Sequence, residues 1–76
     1  MTPHRLIAIG RQVGALRALL NYGVPELAAR ALIADARTAG RKEIDFRVPA
    51  GAPAEAGQTL RLRFMRGGHV DVFRVG

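Results

Sequence analysis

Between positions 6 and 20 the apolar residues Leu6, Ile9, Val13, Leu16 and Leu20 recur at spacings of three and four. That is the period of one face of an α-helix. Thr2 is placed to cap such a helix, and Pro3 suits its first turn, where a missing N–H is harmless. The pattern predicts a first helix over about 3–20, with Arg5, Arg11 and Arg17 off the middle of the seam. Gly10, Gly14 and Ala18 add a line of small residues four apart, read either as a groove for close backbone packing or as an indifferent face. Asn21, Tyr22 and Gly23 stop this helix, and Pro25 opens a second, over about 25–39, closed by Gly40. The second helix is alanine-rich, with Glu26, Arg30 and Arg37 as its polar edge, and reads as mostly buried.

After Gly40 the period changes to two. Ile44, Phe46 and Val48 alternate with Glu43, Asp45 and Arg47. Leu60, Leu62 and Phe64 alternate with Arg61 and Arg63. Strands are predicted over about 43–48, 59–65 and 70–75, with a Pro/Gly/Ala-rich loop over 49–58 and a tight turn at Gly67 and Gly68. The expected architecture is α+β: one small basic domain over 1–76, a helix-turn-helix hairpin followed by a three-stranded antiparallel β-meander (ααβββ).

The last strand is unusual in being apolar on both faces. Val70 and Val72 point one way, Phe73 and Val75 the other. A two-residue turn would set Arg61 against Arg74; a three-residue turn pairs Phe64 with Val70 and Arg63 with Asp71, and is preferred for its charge pairing. Phe73 and Val75 then face outward. Either a bulge between Val72 and Phe73 turns them back, or, with one sheet face open, a second copy covers them; the second is preferred, so a homodimer is predicted through Phe73 and Val75.

Composition narrows the function. The 76 residues carry 12 basic and 6 acidic side chains, a net charge of +6, with Lys42 as the single lysine and no cysteine or serine. The arginine preference partly reflects GC-rich coding, which the thirteen alanines also suggest, but the net charge stands. The two commonest activated nucleophiles are absent, and His4 and His69 are the only histidines. No phosphate loop, paired carboxylate motif or Cys/His cluster occurs. The chain therefore reads as non-enzymatic, with no cofactor, metal or small-molecule substrate. The apolar run over 6–9 is too short for a signal core or membrane span and is followed by Arg11, so a cytoplasmic protein without a membrane role is expected.

Two surfaces are candidates for binding. The helix–Gly–helix corner over 15–34 resembles a DNA-binding helix-turn-helix, with the hairpin at Arg66, Gly67, Gly68 and His69 as a wing. Its second helix, however, offers Pro25, Glu26, Leu27, Arg30, Ala31 and Ala34 to the groove, with one donor-rich side chain among them. The arginine side of the sheet is favoured instead: Arg47, Arg61 and Arg63, with Arg41 and Arg66 nearby, form a basic patch suited to phosphates. No aromatic side chain is interleaved on this side of the first two strands for base stacking. The expected function is contact with nucleic-acid phosphates through this face. The alternative is a small regulator or inhibitor, of the kind bacterial and phage accessory proteins provide, that occupies an acidic or nucleic-acid-binding site on a larger protein.

Overall fold

In the computed structural model, which describes residues 5–76, the first segment is a strand. β1 (Leu6–Val13) is followed by α1 (Ala15–Asn21) and α2 (Glu26–Thr38), then β2 (Glu43–Arg47), β3 (Thr59–Phe64) and β4 (His69–Val75). All neighbours in the sheet are antiparallel and the strand order is β1-β4-β3-β2. The ααβββ expectation is thus corrected to βααβββ. The sheet has four strands, and one of them precedes the helices. The cap at Thr2, the first-turn Pro3 and His4 lie outside the described residues.

The physical reason lies in the composition of 6–13. Ile7, Ile9 and Val13 are β-branched, and Gly10 in a helix interior would cost roughly 1 kcal/mol relative to alanine. Gly14 sits at φ +88°, a conformation an L side chain rarely adopts, and it divides strand from helix. The helical seam dissolves accordingly: Leu6, Ile9 and Leu16 are half-buried, while Val13 is 67% exposed and Leu20 39%. The small-residue line is broken too. Gly10 is exposed in β1, Gly14 is the hinge, and only Ala18 is buried.

The other strands follow their period of two. The β3–β4 hairpin turns through a single 3₁₀ turn at Arg66–Gly68, closed by the Met65 N–H donating to the His69 carbonyl at 2.8 Å. Gly67 and Gly68 both take φ 82° in that turn, a conformation L side chains rarely adopt. Phe64 pairs with Val70 and Arg63 with Asp71, the register that sets opposite charges against each other. Both helices lie on one face of the sheet, over a core whose largest fully buried side chains are Leu19, Leu60, Leu62, Val48, Val70 and Val72. Tyr22 tilts against Phe46 in the same core, ring centroids 6.3 Å apart.

α2 is less buried than its alanine content suggests. Ala29 and Ala36 are buried and Leu32 and Ile33 partly so, but Leu27 is 84% exposed. Glu26 in its first turn and Arg37 in its last complement the helix dipole, and Arg30 Nε donates to Glu26 Oε2 at 3.0 Å. The 49–58 loop is tied down rather than free. Arg74 Nε and Nη2 donate to the two Glu55 oxygens at 2.7 and 2.8 Å, and the Val48 carbonyl accepts from the Gly57 N–H at 2.9 Å.

These packing differences yield a stability test. Leu19→Ala should lose about 2–5 kcal/mol in urea denaturation, because it empties the centre of the core. Leu27→Ala should stay within about 0.5 kcal/mol of the parent. A reversed order would mean that α2, not α1, is the buried helix.

Candidate polyanion-binding site

The β2–β3–β4 register decides what the arginines can do. The face away from the helices is crossed by a row in which β1 Arg11, β4 Asp71, β3 Arg63 and β2 Glu43 stand side by side. The adjacent row contains Ala8, Phe73, Arg61 and Asp45. Opposite charges therefore meet at every step of the first row and between Arg61 and Asp45 in the second. Arg11 Nε donates to Asp71 Oδ1 at 2.8 Å and Arg63 Nε to Glu43 Oε2 at 2.9 Å. Arg61 grips Asp45 with two bonds, Nε to Oδ1 at 2.7 Å and Nη2 to Oδ2 at 2.9 Å, and lies 3.7 Å from Glu43 Oε1. The Arg63 guanidinium also lies 4.8 Å from the centre of the Phe73 ring, a cation–π contact.

The structure thus places Arg47, Arg61 and Arg63 on one face, but it does not leave them equivalent. Arg61 and Arg63 are held by carboxylates, and Arg47 stands at the far end of β2, opposite Thr59. Arg41 and Arg66 lie at the other end of the sheet. There the Phe64 N–H donates to the Lys42 carbonyl at 2.9 Å, which brings the entry to β2 beside the β3–β4 hairpin. The Gly14 N–H donates to the Gly68 carbonyl at 2.9 Å and ties the end of β1 to the same corner. A shallow cleft of about 550 Å³ opens there, lined by Arg41, Lys42, Glu43, Asp45, Arg63 and Phe64. Its two carboxylates are already bonded to Arg63 and Arg61. Among the described residues, Arg41, Lys42 and Arg66 have no carboxylate within 4.0 Å. Sequence reasoning misses Lys42 here, although it adjoins Arg41, and misses Arg11, which the helical reading of 3–20 keeps away from the sheet.

Phe73 and Val75 point to this open face, as expected, but from the middle of the sheet. Phe73 has Ala8 and Arg61 as cross-strand neighbours and Val75 has Leu6, so both are half-buried within one chain. The second apolar face of β4 thereby acquires a covering strand edge that a three-stranded sheet would lack. On α2, the residues a helix-turn-helix would turn toward bases are exposed, and the single strong donor, Arg30, is held by Glu26. Among the described residues no group of three or more His, Cys, Asp or Glu is placed to hold a metal ion, and no helix is long and apolar enough to cross a membrane. Comparison with protein-family models, curated proteins and solved structures found no match.

The two bonds from Arg61 hold the Asp45 carboxyl below its ordinary pKa, although partial burial pushes the other way. A group whose folded-state pKa is depressed contributes stability in full above its unfolded value and loses it as pH falls through the folded one. Asp45 is half exposed, so that contribution is small. In a carboxyl-carbon NMR titration Asp45 should titrate below an aspartate in a short peptide, and Arg61→Gln should raise its midpoint. A midpoint indifferent to Arg61 would show that the pair does not form in solution.

Proposed function

We propose that this chain is a small non-enzymatic binding protein that docks nucleic-acid phosphates at the corner formed by Arg41, Lys42 and Arg66. The observation that supports this reading is the unequal engagement of its cations. Mid-sheet Arg61 and Arg63 are matched by carboxylates, whereas Arg41, Lys42 and Arg66 have none within 4.0 Å among the described residues, and Arg41 and Lys42 line an open cleft. Phosphate is the ligand such a cluster suits, since guanidinium groups bind it in a fork and the ammonium acts as a point charge. The reading implies little base discrimination, because phosphate contacts position a protein without reporting sequence. A chain without cysteine suits the reducing cytoplasm.

A second reading, a regulator that occupies an acidic site on a larger protein, is favoured by the helix side. There the exposed Leu20 and Leu27 lie one turn from Arg17 and Arg30.

Fluorescence anisotropy with random-sequence DNA and RNA across a salt series separates the two. The Arg41→Gln/Lys42→Gln/Arg66→Gln variant should weaken binding and flatten the slope of log K against log salt by about 3, roughly one for each phosphate no longer neutralised. Arg61→Gln/Arg63→Gln should change the slope much less. Undiminished binding by the corner variant would remove the corner as the site. No binding by the parent chain at low salt would leave the protein-partner reading.

A further inference from the structure

The two edges of the sheet are built differently. β2 is five residues long, and three of them, Glu43, Asp45 and Arg47, are charged. Lys42 precedes it, and Pro49, which has no N–H to offer, follows closely. These are the usual guards against edge-to-edge pairing. β1 has eight residues, no proline or lysine, and one charge, Arg11, whose guanidinium is committed to Asp71 within the sheet. Among the described residues nothing pairs with its outer rim, and Ile7 and Val13 are 41% and 67% exposed.

We propose that β1 pairs antiparallel with β1 of a second copy across a two-fold axis, joining two sheets into one of eight strands. The choice of a second copy over a foreign strand comes from the irregularity in β1. Directly opposed residues of an antiparallel pair must point to the same face. A regular strand meets that condition with itself only when the axis passes through a residue. β1, however, shifts register between Ala8 and Gly10: Ala8 stands opposite Phe73 on the open face, and Gly10 opposite Val72 on the core face. Ile9, between them, packs on the core.

From Leu6 to Val13 the faces therefore read open, core, open, core, core, open, core, open. That order is the same in both directions about the midpoint between Ile9 and Gly10. With the axis at that midpoint every residue of β1 meets a residue of matching face in the second copy. Leu6 comes opposite the second copy's Val13, and Ile7 opposite its Gln12. Ala8 comes opposite its Arg11, so the strand's only charge never meets itself, which matters in a chain of net charge +6.

Symmetry makes each of these contacts twice, and they include Val13, the most exposed large apolar side chain of the strand. The homodimer thus forms along the β1 rim, with Phe73 and Val75 one strand behind it. Each dimer carries two corner clusters, so its avidity for a long polyanion exceeds that of one chain.

Sedimentation equilibrium at micromolar concentration, without nucleic acid, should give a species of twice 8.2 kDa. Val13→Lys, made at an exposed position, should keep the circular dichroism spectrum and weaken association by about tenfold or more, since symmetry repeats each disrupted pair. Because the chain has no cysteine, the register can be read directly. A mixture of Leu6→Cys and Val13→Cys proteins should oxidise to a heterodimer, and Leu6→Cys alone should not cross-link. A monomer of 8.2 kDa, a dimer indifferent to Val13→Lys, or a Leu6→Cys homodimer would each overturn the proposal. None of these readouts depends on whether the corner cations bind phosphates.

Discussion

The arrangement of this protein depends on the need to give β4 a neighbour on each side. Its inward residues Val70 and Val72 complete the core with Leu60 and Leu62, and its outward Phe73 and Val75 would lie on a bare rim if β4 were the last strand. Pairing with β1 removes that rim. It places Ala8 and Leu6 beside the two outward side chains and converts the edge into the centre of a four-stranded sheet. In so small a domain, apolar area left in water is a large fraction of the total, so this pairing outweighs whatever helical preference the first segment has.

The consequences reach the charges. Once β1 joins, Arg11 comes beside Asp71, and the open face becomes a field of alternating signs in which arginines and carboxylates stand side by side. Exposed pairs of this kind add little stability each, but they fix which cations are left without a carboxylate beside them. Gln12, on the core face of β1, accepts from Asn21 Nδ2 at 2.7 Å, and so links the edge strand to the end of α1. Tyr22 follows Asn21 directly, and burial pushes its phenol up.

The strands β2, β3 and β4 are legible in the sequence because charged and apolar residues alternate along most of their length. α2 is legible from Pro25, Glu26 and Gly40. The first segment misleads for a specific reason. The bulge in β1 inserts one residue into a period of two, so Leu6, Ile9 and Val13 fall three and four apart while lying on open, core and open faces. A bulged edge strand thus imitates a helical seam, and only the partner strand distinguishes them. The arginine side of the sheet is legible as a side, but its neutralisation is not. Pairing Arg61 with Asp45 and Arg63 with Glu43 depends on a register set across the 49–58 loop, and no local pattern reports that register.

Backbone NMR of the free protein tests the β1–β4 pairing most directly. Residues 6–13 should show extended carbon shifts, with cross-strand NOEs linking Ala8 to Phe73 and Arg11 to Asp71. Helical shifts over 6–13, with NOEs three and four residues apart and none to β4, would contradict the pairing on which the sheet and its distribution of charges rest.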